Sequence, residues 1–318
     1  MPELSMLQAI RLALVESLEG DDRVVLLGAD IGRLGGIFRA TEGLLERFGP
    51  DRIVDTPLSI SAGVGAAIGL ALYGLRPVYE VQFADFIHPA FNQIVNEAAR
   101  ICYRSNGDWT VPLVIRAPFG GGAGGGLYHS QSVEAFFSHV PGLKVVIPSS
   151  PGDARSLLKA AIKDPNPVVF LEPRTGYQEL VESVPENSNP VAIGRALVSR
   201  VGDDLTLVTY GMMHGHAWKA AELLHEEGID AEIIDLRTLA PFDRESVLAS
   251  VRKTGKALIV HEDNLTGGFG AEISAVIADE AFGDLDGPVK RLAGPDVPGV
   301  PFSQPLEEWF LITPEKIA

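Results

Sequence analysis

Chemistry first suggests itself where a histidine follows a glycine run. Gly120-Gly121-Gly122-Ala123-Gly124-Gly125-Gly126 leads directly into Leu127-Tyr128-His129-Ser130-Gln131-Ser132. An imidazole can take and return a proton near neutral pH, and a long glycine loop beside it can reshape around a ligand. The run contains G-x-G-x-x-G at Gly120, Gly122 and Gly125, but so many glycines match almost any glycine pattern. A dinucleotide fingerprint also needs a helix opening on the third glycine and an acidic residue about 20 positions on. Neither follows here, so the run is expected to be an active-site loop. A second group, Gln82, Phe83, Phe86 and His88, stands just beyond the apolar stretch Val78–Val81. Open α/β sheets receive ligands there, past the carboxyl ends of their strands. Taken alone, His88 reads as decoration of a helix start. His214, His216 and His225 come with no H-E-x-x-H pattern and are expected to be solvated helix residues. His261-Glu262 closes an apolar stretch and is expected at a subunit contact or at the outer rim of the site.

Short apolar stretches at Val24–Leu27, Val78–Val81, Pro112–Ile115, Lys144–Ile147 and Val168–Leu171 must position these residues. Helix-length segments lie between them around 61–74, 89–102 and 151–163. Apolar strands alternating with helices imply a parallel sheet covered on both faces, because parallel neighbours need crossover connections. Ahead of them, Ser5 with Gln8 three residues later opens an amphipathic helix carrying Leu7, Ile10, Leu14 and Leu18 and ending at Gly20. The expected fold class is therefore α/β, in two domains. Residues 1–174 form the first, 175–190 a linker where Glu, Ser, Asn and Pro accumulate, and 191–318 the second. In the second, strands are expected at Leu205–Tyr210, Ala231–Asp235, Ala257–His261 and Val289–Leu292, with helices near 214–227, 243–254 and 270–281.

The chain has 318 residues, 46% of them hydrophobic, enough for a substantial core. Its net charge of -16, from 42 acidic and 26 basic residues, argues against a phosphate-tracking nucleic-acid surface. A single cysteine, Cys102, excludes an internal disulfide and a cysteine-rich zinc site and fits a reducing compartment; the expected location is cytoplasmic. The segment Met1–Leu7 has no signal-peptide pattern, and no apolar run approaches the ~20 residues of a membrane span.

Several segments carry a family resemblance. They are Gly28-Ala29-Asp30-Ile31-Gly32, Asp55-Thr56-Pro57-Leu58-Ser59-Ile60, Gln82-Phe83-Ala84-Asp85-Phe86, His129-Ser130-Gln131 and Asp235-Leu236-Arg237-Thr238-Leu239-Ala240-Pro241. Together they resemble the β subunit of the E1 component of 2-oxo acid dehydrogenase complexes, which is thiamine diphosphate-dependent. The resemblance runs nearly the full length and implies a pyrimidine-binding domain followed by a transketolase-like C-terminal domain. It implies His129 as the catalytic residue, close to the substrate carboxylate, moving a proton and passing the acyl group to a lipoyl arm. Ala29, Leu58, Ser59, Ile60, Gln82 and Phe86 fall on cofactor-binding positions; Phe83, His88, Tyr128 and His129 fall on the substrate pocket. It also implies an α subunit in an α2β2 heterotetramer, holding the diphosphate through magnesium, because this chain has no G-D-G motif with a downstream Asn-Asn pair. A lipoyl-bearing E2 acyltransferase is the second implied partner. Backbone carbonyls at Leu113, Ala161, Ile162, Asp164 and Asn166 match positions that enclose potassium in many such subunits.

Two positions depart from that pattern. The family carries glutamate where this chain has Ala29 and Ile60. The glutamate at the Ile60 position hydrogen-bonds the cofactor's pyrimidine and drives the proton loss that activates it, and a branched hydrocarbon can neither donate nor accept a proton. Losing a positioned acid or base typically costs about 10²–10⁴ in rate. No Asp or Glu lies between Asp55 and Glu80 to substitute after a small register shift. The leading reading is an E1 β subunit acting on pyruvate or a branched-chain 2-oxo acid. The alternatives are a catalytically impaired or non-catalytic assembly or regulatory subunit, and the small half of a split transketolase.

Overall fold

The computed structural model describes residues 3–185 and 191–318. Among them, one sheet runs edge to edge through Thr238–Ala240, Lys144–Val146, Val168–Pro173, Val114–Phe119, Arg76–Glu80, Val24–Gly28 and Ile53–Asp55. All but the first are parallel to their neighbours, and the register sets Gly28 opposite Glu80 and Arg116 opposite Phe170. The edge strand Thr238–Ala240 comes from the C-terminal half and pairs antiparallel with Lys144–Val146, so hydrogen bonds join the two halves. A second sheet runs Lys290–Gly294, Ala257–Asn264, Leu205–Thr209, Ala231–Asp235 and Leu197–Arg200, with only the last antiparallel to its neighbour. The architecture is α/β in both halves.

Sequence explains most of these elements directly. Helix Met6–Gly20 opens on the expected reciprocal cap: the Ser5 hydroxyl accepts from the Gln8 N–H, and the Gln8 side chain accepts from the Ser5 N–H. It packs on helix Pro151–Lys163 and closes one face of the first sheet over Ile10, Leu14, Leu157 and Phe170, all fully buried. On the other face, one apolar cluster runs from Val25, Ile60 and Tyr79 through Phe137 to Val208, Ile234 and Val247, so the two halves share a core.

Some segments differ from expectation. The helix expected over 89–102 is three shorter pieces: a 3₁₀ stretch Ala84–Ala90, a π-helical turn Gln93–Ala98 and an α turn Ile101–Arg104. Pro89 inside the first piece lacks the N–H that a regular helix uses. Residues 175–185, read as linker, carry helix Gly176–Glu179 and strand Val181–Ser183, which pairs with Glu3–Ser5. The rest of the expected linker, 186–190, lies outside the described residues.

Helix Ile60–Leu72 matters most for the site. A Cβ on Gly63 would sit 2.3 Å from the Tyr79 hydroxyl, so glycine is what lets this helix lie directly on strand Arg76–Glu80. That contact fixes Ile60, the first helical residue, beside the carboxyl end of the strand.

Candidate active site

The carboxyl ends of five parallel strands meet at one edge of the first sheet and carry Ala29, Thr56, Val81-Gln82, Gly120 and Arg174 just beyond them. The Asp55 carboxylate ties two of these ends together, accepting from the backbone N–H of Gly32 at 2.6 Å and of Arg33 at 3.2 Å. Ala29 and Ile60 are 5% and 6% exposed and belong to the packed interior. Ser59 and Leu58, at the turn before the helix, are exposed, Leu58 by 70%.

An aromatic cluster holds His129. Its ring stands edge-on to Phe83 with centroids 4.6 Å apart, and to Phe86 at 5.4 Å. Phe83 also meets Phe86 at 5.7 Å and Phe38 at 5.5 Å, and the Arg174 guanidinium carbon lies 6.0 Å from its ring centre. The segment behind His129 is pinned by Asp85, whose carboxylate accepts from the Gln131 N–H at 3.3 Å; burial raises that carboxyl above its usual range. Thus His129, Phe83 and Phe86, distant in sequence, converge, with half-buried Gln82 adjoining Phe83 in the chain. His88 does not join them: it is exposed and its ring faces Phe136 at 5.5 Å. Tyr128 lies at the surface, 68% exposed.

The floor of the site is a buried ionic network. Arg116 spans Glu172 with two bonds, Nε to Oε1 at 2.7 Å and Nη2 to Oε2 at 2.9 Å, while its Nη1 reaches Glu80 at 2.8 Å. The Tyr177 hydroxyl also donates to Glu172. Glu80 is the carboxyl that the register places opposite Gly28, beside Ala29, and it is committed to Arg116. Burial raises its pKa despite that partner. It does not stand in for a carboxyl at position 60.

The glycine run is held down by the C-terminal half. Glu262 accepts from the Gly121 N–H at 3.2 Å, and one oxygen of Glu307 accepts from Gly122 at 3.0 Å and Gly124 at 3.2 Å. Burial pushes Glu262 up to about 7. Below the loop, buried Glu134 accepts from the Tyr210 hydroxyl at 3.0 Å, and burial together with neighbouring Asp263 holds its pKa well above the usual range. Glu262 stands at the rim of the site, one of the places expected for it, whereas Glu134, Glu307 and Arg174 carried no signal in the sequence. Only their three-dimensional neighbours mark them, since Glu307 meets the loop across more than half the chain.

Several histidine expectations need correction. The pair His261-Glu262 divides: Glu262 reaches the glycine run, while His261 is fully buried, stacked on Tyr210 at 6.2 Å, with its pKa lowered by burial to about 4. His214 and His216 are half-buried rather than solvated, meeting the Ser199 hydroxyl at 2.9 Å and the Ile312 carbonyl at 2.8 Å. His225 is exposed as expected, and no cluster of metal-ligating side chains occurs among the described residues.

The cation positions are partly occupied by protein donors. Arg76 Nη1 donates to the Ile162 carbonyl at 2.8 Å and the Asp164 carbonyl at 3.4 Å, and Lys144 bonds the Asp164 carboxylate. A second cation at these two carbonyls would face the guanidinium, so Ile162 and Asp164 do not fit it. Among the other expected positions, Leu58, Ile60 and Phe86 are apolar and Gln82 carries an amide, and none supplies a carboxyl.

Fold and site together define the class, a two-domain chain of the transketolase type. Residues 2–179 match the family described as "Transketolase, pyrimidine binding domain", and 194–317 match "Transketolase, C-terminal domain". The chain is 51% identical over 317 residues to the 2-oxoisovalerate dehydrogenase subunit beta of Bacillus subtilis, covering 100% of this chain and 97% of that one. It is 46% identical over 310 residues to the pyruvate dehydrogenase E1 component subunit beta of the same organism, covering 98% and 95%. A solved structure titled "Split gene transketolase, inactive beta4 tetramer" superposes with a TM-score of 0.79 at 28% identity, covering 99% and 95%. The chain belongs to the family of E1 β subunits of 2-oxo acid dehydrogenases. No helix of the described residues is long and apolar enough to cross a membrane.

Proposed function

We propose that this chain is the β half of a thiamine diphosphate-dependent E1 component that oxidatively decarboxylates pyruvate or a branched-chain 2-oxo acid, with cofactor activation slowed by Ile60. The observation that carries the reading is the convergence of His129, Phe83 and Phe86 at the strand ends beside the helix that begins at Ile60. Leu58, Ile60, Gln82 and Phe86 would hold the aminopyrimidine, with Ser59 and Ala29 completing its surroundings. When bound, the cofactor supplies a nucleophilic carbon for the 2-oxo group. His129 accepts and returns a proton near the substrate carboxylate, and Phe83 and Phe86 fix the plane of its imidazole. Tyr128, exposed and next to His129 in the chain, would lie on the substrate side, whereas His88 faces Phe136 and takes no part.

An α chain in an α2β2 assembly would hold magnesium and the diphosphate, and a lipoyl-bearing E2 acyltransferase would take the acyl group. The exposed apolar side chains Leu34, Ile37, Leu58 and Tyr128 support burial against such a partner. Potassium enters this reading as a brace on Leu113, Ala161 and Asn166, the carbonyls that Arg76 does not engage. A rise in Tm with KCl over NaCl at equal ionic strength tests it. The domain division at 174 and 190 and a cytoplasmic location belong to the same proposal. Copurification with the α chain and calorimetric binding of thiamine diphosphate test the whole; failure to bind any α chain would sink it.

A second reading, a non-catalytic assembly or regulatory subunit, is favoured by one specific observation. Ala29 and Ile60 are both apolar and nearly buried where the family carries glutamate, so the chain supplies no carboxyl at either position. It differs by forming the complex without turnover.

A further inference from the structure

Two arginines near the end of the same sheet edge are in opposite states. Arg116 uses its Nε and Nη2 as a side-on fork, gripping both oxygens of Glu172. Arg174, two residues past Glu172, presents the same pair of atoms with nothing in it: its Nε and Nη2 are buried and have no hydrogen-bond partner among the described residues. An empty buried fork is an unfavourable arrangement for a group that stays charged at every accessible pH, and a carboxylate is the ligand whose geometry fills it with two parallel bonds.

No carboxylate among the described residues fills it. Asp85, Glu262 and Glu307 are the acidic groups whose charge Arg174 feels, and each is engaged elsewhere. Asp85 accepts from the Gln131 N–H, Glu262 from Gly121, and Glu307 from Gly122 and Gly124. Arg174 is itself fixed in place: its backbone N–H donates to the Phe119 carbonyl at 3.0 Å, and its guanidinium lies against Phe83, the ring that also packs on His129. The neighbouring Thr175 methyl lies 3.3 Å from where a Cβ on Gly122 would stand, so the glycine run covers this corner.

Building on the functional reading above, we propose that Arg174 is a substrate-binding residue whose Nε–H and Nη2–H receive the carboxylate of the 2-oxo acid when the glycine run lifts. The run is suited to lifting, because Gly120, Gly122, Gly124 and Gly126 all have positive φ and no side chains to repack. Arg174 and His129, on one aromatic ring, then address the acid end and the reacting end of a small substrate.

The test is calorimetric titration of the complex reconstituted with its α chain, thiamine diphosphate and magnesium. The ligands are 2-oxoisovalerate, pyruvate and the uncharged ketone 3-methyl-2-butanone. Arg174→Gln is expected to weaken binding of both acids by about 10- to 100-fold, the range for losing charge-assisted hydrogen bonds, with ketone and cofactor affinities unchanged. Arg174→Lys, which keeps the charge but loses the fork, is expected between the two and serves if the Gln variant fails to assemble. Equal affinity of native, Lys and Gln complexes for the acids overturns the assignment while leaving the functional reading intact. A native complex that binds cofactor but neither acid overturns both.

Discussion

Replacing Arg116 by methionine would remove the one cation between two carboxylates inside the first sheet. Glu172 is fully buried and Glu80 nearly so, and three bonds of 2.7, 2.8 and 2.9 Å join them to the guanidinium. Stranding one partner of a buried ion pair costs about 3–5 kcal/mol, and the Tyr177 hydroxyl compensates only at Glu172. The loss is therefore expected at about 4 kcal/mol at pH 8. It should shrink in acid, because Glu80 already has a raised pKa and loses its cation in the variant. A carboxyl with a folded pKa above its unfolded value contributes stability that is complete below the unfolded pKa and lost as pH rises through the folded one. The assay is urea unfolding at pH 5.5 and pH 8 of Arg116→Met and of Arg116→Met combined with Glu80→Gln and Glu172→Gln. The triple variant should recover most of the loss at pH 8. A loss under about 1 kcal/mol, or a triple variant no more stable than the single one, would refute the assigned role of this network.

Three further outcomes follow from the same reasoning. Glu307→Ala removes two charge-assisted bonds to the glycine run, so hydrogen exchange at Gly122 and Gly124 should quicken about 10- to 100-fold, with core amides of Val114–Phe119 unaffected; unchanged exchange would mean the carboxylate does not hold the loop. Asp235 is buried and pushed up to about 8 by burial and by Asp153. Its contribution is therefore full below about pH 4 and lost as pH rises towards 8, so Asp235→Asn should flatten the fall in unfolding free energy between pH 5 and pH 8.5. An unaltered pH profile would show that Asp235 is not the titrating group. His129→Ala should leave cofactor affinity within about twofold and remove substrate-dependent turnover by about 10²–10⁴, read by comparing calorimetry with steady-state rates.

Much of the architecture was legible because its strands are short continuous apolar runs separated by helix-length segments, the pattern of a parallel sheet buried on both faces. Ala231–Asp235 and the capped helix at Met6 fell where sequence placed them. Ile53–Asp55 escaped because three residues between Arg52 and Thr56 carry no period to read. Thr238–Ala240 is equally short and pairs with a partner in the other half of the chain, so no local pattern announces it. The glycine run, His129 and the Gln82–Phe86 group were visible by residue type and by their place after strands. Their mutual packing was not, and neither was Glu307, which holds the loop together with Glu262. Glu307 sits on helix Gln304–Phe310, and in sequence it is indistinguishable from an exposed acidic residue such as Glu308. Arg174 likewise reads as a surface arginine until its fork is found buried and empty.

The most direct test of the account is 2-oxo acid-dependent reduction of an artificial electron acceptor by this chain assembled with its α chain, thiamine diphosphate and magnesium. The same assembly would carry Ile60→Glu for comparison. The account predicts that both bind cofactor and that the glutamate variant turns over about 10²–10⁴ faster, the range for restoring a positioned proton-transfer group. Equal rates, or a native chain faster than Ile60→Glu, would contradict the claim that Ile60 withholds the proton transfer this site otherwise supports.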